Sequence, residues 1–288
     1  MQHSDSFRAM DTGIDVIVEA PGPFPPFGLF AGIHVLFEQQ EERFSRFRPG
    51  SLLSRLNRGE TIDDPFFAHG CRLALEAFAF TGGLFNPLVL PALRQAGYGV
   101  TFASVHGGAP RKMSTPSPHE AIAVEGTTVR LLSGELDLGG IVKGWSVDLA
   151  AGMAAQAGLA ALVNAGGDLH ATGTEEGARD GWLVQVDGLD GDPAWEGGVA
   201  GGLATSTTLK RAWRTSSGGH AHHLIDPRTG LPAESPFVQV SAWAPKTWRA
   251  ECWAKAVLIG GYEAADRALA SDVPILALDA GGAVRVSR

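Results

Sequence analysis

Cysteine is scarce: Cys71 and Cys252 are the only two in 288 residues, and no CxxC spacing occurs. A disulfide framework and a cysteine-based zinc cluster are therefore excluded, and a reducing compartment is expected. Positive charge is in deficit, with 23 Lys plus Arg against 31 Asp plus Glu and a formal net charge of -8. That balance repels a phosphate backbone rather than neutralising it, so nucleic acid is not an expected partner. Long apolar runs are missing too. The stretch around Leu258 falls well short of the ~20 residues that span a bilayer, so membrane insertion is not expected. The opening MQHSDSFRAMDTGIDVIV has neither a basic start followed by an apolar core nor a cysteine for lipid attachment, which makes cytoplasmic residence the expectation. Repeats and low-complexity tracts are likewise absent. A composition of 44% hydrophobic and 19% charged residues can bury a sizeable core. The length exceeds the usual ~100–150-residue domain, so residues 1–288 form one domain or two intimately packed lobes.

The apolar pattern divides the chain unevenly. Gly13 to Ala20 reads as a strand. Phe30 to Phe47 carries Ile33, Leu36, Phe37, Phe44 and Phe47 at helical spacing, and Pro49-Gly50 ends that helix. Ser51 is placed to cap a short helix over SLLSRLN, and Phe66 to Phe80 predicts a third helix that stops at Gly82-Gly83. From His119 onward, strand-like segments (AIAVEG, TVRLL, ALVNAGG, WLVQVDG, FVQVSAWAP, VPILALDA, AVRVS) surround two helical stretches, Ile141 to Ala155 and Trp248 to Leu258. The expected class is α+β, with helices gathered mainly in the N-terminal part and packed on a mixed, sheet-rich remainder.

Four glycine-rich polar segments carry groups suited to a ligand. In LDLGGIVKGWSVD, Asp137 ends a strand, Gly139 and Gly140 allow close backbone approach, and Lys143 falls in the first turn of a helix. Such a start suits phosphate, and it equally describes a tight β-to-α turn with a solvated lysine. In ALVNAGGDLHATG, Asn164, Gly166, Gly167 and Asp168 follow an apolar strand. A carboxylate there can accept hydrogen bonds from a ligand or simply close a structural turn. The third segment joins Thr205, Ser206 and Arg211 to HAHHLIDPRTG, where His223 titrates near neutrality and Arg228 offers a fork for phosphate or carboxylate. Asp226 to Gly230 also has β-turn composition, and the cluster of His220, His222 and His223 lacks zinc-site spacing. In the fourth, AECWAKAVLIGG, Glu251 and Lys255 lie four apart on one helix face, where such a pair stabilises a helix by roughly 0.3 kcal/mol.

Taken in order, these segments resemble the ApbE family across nearly the whole chain. The pattern comprises Met10-Asp11-Thr12, FSRFRPGSLLSRLN, Phe85-Asn86-Pro87, Gly97-Tyr98-Gly99, Asp137 to Gly144, Asn164 to Asp168, Ala204 to Ser206 and His223 to Gly230. The resemblance implies FAD held between two lobes, with Met10 and Tyr98 beside its flat rings. Asp137, Lys143 and the backbone near Leu224 would touch its polar parts. Gly139, Gly140, Gly166, Gly167, Asp168, Thr205, Ser206, Arg211 and Thr229 complete the expected binding set; His223, carried over from the family motif, forms the expected catalytic set with Arg228 and with Lys255, which departs from that motif. The implied activity is FMN transfer from FAD to a Thr or Ser hydroxyl of an acceptor flavoprotein, with release of AMP. FAD carriage without catalysis and FAD pyrophosphatase activity stand as alternatives. The family pattern further implies Mg²⁺ near the pyrophosphate, held by the Gly140 carbonyl and a helix reading Ala-Asp-Ala-x-Ala-Thr. Here Glu251 replaces the Asp and Lys255 the Thr. Either the Lys255 ammonium substitutes for the ion, or Lys255 pairs with Glu251 and closes the site. Asp11 and Asn86 stand where the pattern has Gly and Asp.

Overall fold

The computed structural model describes residues 1–105, 107–282 and the backbone of 284–287. In chain order, β1 (Gln2–Ala9) and β2 (Thr12–Glu19) form a hairpin, followed by helices α1 (Phe27–Phe44) and α2 (Leu52–Asn57). Next come β3 (Ile62–Asp63), α3 (Pro65–Phe80), α4 (Leu90–Gln95), α5 (Pro118–Ala121), β4 (Ile122–Glu125), β5 (Thr128–Leu131) and α6 (Val142–Gln156). Strands β6 (Ala160–Ala165), β7 (Asp168–Thr172), β8 (Trp182–Asp187), β9 (Pro193–Val199) and β10 (Gly201–Thr207) lead into a looped region with β11 (Ala212–Arg214), β12 (His220–His222), β13 (Ile225–Asp226) and β14 (Leu231–Pro232). The chain closes with β15 (Phe237–Ala244), the long helix α7 (Thr247–Ala270), β16 (Ile275–Asp279) and β17 (Val284–Ser287).

The α+β class expected from the sequence is the one observed. An eight-stranded sheet runs in the order β1-β2-β6-β7-β10-β15-β16-β17. Every described strand pairing is antiparallel, which makes the sheet more regular than the mixed arrangement read from the pattern. Helices α6 and α7 bury their apolar sides against it. Val147, Ala150, Ala151 and Ala154 of α6 pack with Val16, Val18 and Val163 of the sheet, and Val257 of α7 joins Val240, Ala242 and Ile275. Among the described residues, no helix is long and apolar enough to cross a membrane.

Helix ends follow local chemistry where that chemistry is strong. Ser51 accepts the Ser54 amide at 3.0 Å and Asp64 accepts the Phe67 amide at 2.7 Å, with Pro65 in the first turn of α3. α1 departs from expectation and ends at Phe44 rather than Phe47. Ser45 turns to extended backbone, which frees Arg46 to reach Asp137 and the Tyr98 carbonyl. α7 runs beyond the predicted Leu258 by breaking at Gly261, whose φ of 62° and ψ of -142° are open to glycine.

Lys246 precedes α7 without a side-chain cap, so the helix start is satisfied from α6 instead. The buried Asp148 carboxylate accepts the Thr247 and Trp248 amides at 2.8 and 3.1 Å and also bonds His170 Nδ1 at 2.6 Å. Removing it strands two buried donors, so Asp148→Ala is expected to cost about 2–4 kcal/mol. Urea unfolding measures this; a loss below about 0.5 kcal/mol would deny that Asp148 caps α7.

Candidate functional site

At one end of the large sheet, the tight turn between β6 and β7 consists of Gly166 and Gly167, with φ of 59° and 96°. Two successive positive φ values suit glycine and fit the twist of a two-residue hairpin. Asn164 Oδ1 accepts the Gly167 amide at 3.0 Å, and the Gly167 carbonyl accepts the Thr205 amide at 3.1 Å. The neighbouring β1–β2 turn is Met10-Asp11, which also has positive φ (52° and 58°) although neither residue is glycine. Thr12 Oγ1 lies where a Cβ on Gly166 would sit, so the two turns are in close contact and Gly166 admits no side chain. Met10 packs against the cores on both sides, and its amide donates to Glu41 at 2.7 Å.

Beneath these turns lies a group of four charges. Asp168 and Glu251 are 1% and 0% exposed. Lys143, from the first turn of α6, pairs with Asp168 and donates to the Ala165 carbonyl at 3.0 Å. Lys255 donates to Glu251 Oε1 at 2.9 Å, while Glu251 Oε2 accepts the Gly144 amide at 2.9 Å. Burial pushes the Asp168 carboxyl up to about 6 despite the attraction of Lys143. For Glu251, burial acts in the same direction, but Lys255 and Lys143 outweigh it and the carboxylate is held below its ordinary value. For Lys255, burial pushes the ammonium down, and Glu251 and Asp168 more than reverse that. The stem of Lys255 packs on Gly140: a Cβ there would meet Lys255 Cε and Phe85 Cε2 at 3.3 Å each.

His223 enters from the loop after β12. Its Nδ1 is enclosed and has no hydrogen-bond partner, while its amide donates to the Arg211 carbonyl at 3.2 Å. Burial, helped by the charges of Arg211, Lys255 and His222, depresses its imidazole to about 3. His223 is therefore neutral at pH 7 and lies within electrostatic reach of Lys255. Arg211 Nη2 is 3.6 Å from Asp11 Oδ2, which ties this loop to the β1–β2 turn. Thr205 Oγ1 shares a 2.7 Å hydrogen bond with Ser241, and Ser206 is buried.

The remaining sequence candidates fall into two further groups. Asp137 accepts the Gly139 amide at 2.8 Å and pairs with Arg46 Nε at 3.2 Å. The Arg46 guanidinium lies 4.5 Å over the Tyr98 ring. Tyr98 is only 5% exposed, packed with Phe102 and Trp213, so its ring is part of a core cluster in this structure. Arg228 does not join the charges around His223. It chelates Asp226 in its own turn, with Nε at 2.9 Å and Nη2 at 2.8 Å, and Glu263 lies close enough to reinforce its charge. Thr229 Oγ1 accepts the Leu231 amide at 3.2 Å, and the Leu224 carbonyl accepts the Ala233 amide at 2.9 Å, so both residues also shape this loop. Sequence reasoning missed Arg46 as a partner of Asp137, because its helical spacing from Phe44 suggested only a continuing helix. It also missed Asp148, whose carboxylate supports the α7 start that carries Glu251 and Lys255.

Asp168 and His223 give acid stability a composite form. Between pH 6.5 and about 3 the unfolded chain protonates His223 while the native ring resists, so stability falls as pH falls. Between about 6 and 3.8 the native Asp168 carboxyl takes up a proton before the unfolded one does, so acidification adds stability and opposes the His223 effect. Thermal melts across this range are expected to show a shallower acid loss for His223→Gln and a steeper one for Asp168→Asn. Unchanged slopes in both variants would contradict the assignment.

The fold and site together define an α+β protein whose glycine turns, buried carboxylates and cationic side chains gather at one end of an antiparallel sheet. Residues 10–278 match the model of the ApbE family, and the chain belongs to that family. It is similar to the FAD:protein FMN transferase of Treponema pallidum (strain Nichols), at 30% identity over 80% of this chain and 71% of that protein. It is also similar to the FAD:protein FMN transferase of Vibrio cholerae serotype O1, at 27% identity over 90% of this chain and 81% of that protein. The fold matches the crystal structure of the ApbE protein of Thermotoga maritima with a TM-score of 0.88 at 22% identity, covering 100% of this chain and 97% of that one. It matches the flavin transferase ApbE from Vibrio cholerae with a TM-score of 0.79 at 22% identity, covering 100% of this chain and 96% of that one.

The Mg²⁺ that the family pattern implies does not fit the residues present. Both Glu251 oxygens are engaged, by Lys255 and by the Gly144 amide, and Asp168 is engaged by Lys143. Among the described residues, no three His, Cys, Asp or Glu side chains are grouped to hold a metal ion. A protonated lysine cannot ligate one.

Proposed function

We propose that the chain, as one domain, binds FAD and transfers its FMN part to a Thr or Ser hydroxyl of an acceptor flavoprotein, releasing AMP. The observation that carries this reading is the convergence of Lys143, Asp168, Lys255, Arg211 and His223, from five separate stretches of chain, beside the Gly166-Gly167 turn. In the reaction, the acceptor hydroxyl oxygen attacks the FMN-side phosphorus of the pyrophosphate. The bond from that phosphorus to the bridging oxygen breaks, and AMP departs with that oxygen.

Each group has a chemical task in this reading. The Lys255 ammonium and Arg211 guanidinium neutralise charge that builds on the phosphoryl oxygens. Gly139 and Gly167 let backbone approach the dinucleotide, while the space beside Gly140 and Gly166 is taken by Lys255 and Thr12. Neutral His223, with a free ring nitrogen, accepts the hydroxyl proton. Burial depresses the basicity of His223 most and nearby cations add to it; bound pyrophosphate brings negative charge that offsets the cations' part and strengthens the ring as a base when substrate is present.

The closed Glu251–Lys255 pair is the one feature that favours FAD retention without transfer. Incubation with FAD and a threonine-containing acceptor separates the readings by following AMP and flavin. AMP that forms only with acceptor supports transfer, AMP without acceptor signifies hydrolysis, and bound flavin without AMP signifies carriage.

A further inference from the structure

We propose that Lys255 is the resident cation of this site, and that the protein binds and processes FAD without a divalent metal. The inference rests on the FAD reading above and specifies how its phosphates are neutralised. The ammonium is held in place from two sides. Its stem lies on Gly140, at the end of the loop that begins with Asp137, and its Nζ is fixed by Glu251 one helical turn earlier on α7. The same charge acts on both His223 and Asp168, so Lys255 lies within electrostatic reach of the imidazole and of the buried carboxyl.

Charge balance supports the same conclusion. Lys143 and Lys255 contribute two positive charges and Asp168 and Glu251 two negative ones, so the buried group is neutral without a metal ion, and the Lys255 ammonium keeps N–H donors beyond the one given to Glu251. A divalent ion entering it would find no free carboxylate oxygen on Glu251 and would face two ammonium groups. Its binding would require either ion pair to open in a buried setting, where unpaired charge is expensive. A tethered ammonium carries one charge rather than two but needs no recruitment from solution and keeps a fixed position, so its electrostatic contribution is preorganised. Gly140 contributes by being glycine: its missing side chain leaves room for the lysine stem.

The test uses the full chain and two probes, Mn²⁺ and FAD. Electron paramagnetic resonance is expected to find no stoichiometric Mn²⁺ on the wild-type protein. Flavin fluorescence titration should give the same FAD affinity in EDTA as in Mg²⁺. Lys255→Thr replaces the ammonium with a hydroxyl and frees Glu251; it is expected to bind Mn²⁺, to lose about tenfold in FAD affinity in EDTA and to regain it with Mg²⁺. Lys255→Met should lose the affinity without metal rescue, and Lys255→Arg should keep most of it and ignore metal. Circular dichroism verifies that each variant is folded, and the wild-type arms stand even if a variant is not. Stoichiometric Mn²⁺ on the wild type, or a tenfold loss of its FAD affinity in EDTA, would overturn the proposal. Failure of the wild type to bind FAD in any buffer would refute the FAD reading instead, and the Mn²⁺ arm would still decide whether a metal occupies this site.

Discussion

His223→Ala is expected to lower acceptor-dependent AMP formation about 10²–10³-fold while changing FAD affinity by less than about threefold. The separation follows from the position of the ring. Its Nδ1 has no hydrogen-bond partner, and at pH 7 the imidazole carries no charge for the phosphates to pair with. Its loss therefore removes proton transfer and leaves Lys255, Lys143 and Arg211 in place. A His223→Ala protein with equal losses in affinity and rate would instead assign the ring to binding. A variant with undiminished AMP formation would remove His223 from the reaction altogether.

The second large effect is on stability. Lys143→Met leaves the Asp168 carboxylate buried without its ammonium partner, and breaking a buried pair from one side costs about 3–5 kcal/mol. Lys143 is partly exposed, so the lower end of that range is expected. Asp168 is already pushed up to about 6, and without Lys143 it would rise further, so the deficit should shrink as pH is lowered and the carboxyl is neutralised. Adding Asp168→Asn to Lys143→Met should restore most of the loss, because the uncompensated charge is then gone. Urea titrations of the two single variants and the double variant at two pH values measure this coupling directly. Additive losses, independent of pH, would show that the pair contributes nothing as a pair.

Much of this was legible because several segments state their structure locally. Ser51 precedes an apolar helical pattern and caps it, and Gly166-Gly167 closes the hairpin that its position after ALVNA suggests. The resemblance to ApbE sequences selected Asp168, Lys143, His223 and Lys255, which the fold then brought together. What stayed hidden depends on partners distant in sequence. β1 contains no Val, Ile or Thr and buries no residue fully; it is a strand because it pairs along the whole of β2. Arg46 leaves a helical pattern because Asp137 and the Tyr98 carbonyl draw it away, and no local signal marks that choice. Arg228 looked suited to phosphate, yet Asp226 two residues earlier occupies its fork. The Glu251–Lys255 pair could be read as a surface helix pair or as a site feature. Burial decides for the second, since Glu251 has no exposure and no solvent to replace the lysine.

In the proposed reaction one site, built around fixed side-chain cations, hands FMN to a hydroxyl. Mass spectrometry of a threonine-containing acceptor incubated with the protein, FAD and EDTA tests it in a single step. The expected product is acceptor carrying one FMN phosphoester, with an equal amount of AMP. Unmodified acceptor, with flavin bound and no AMP formed, would contradict it.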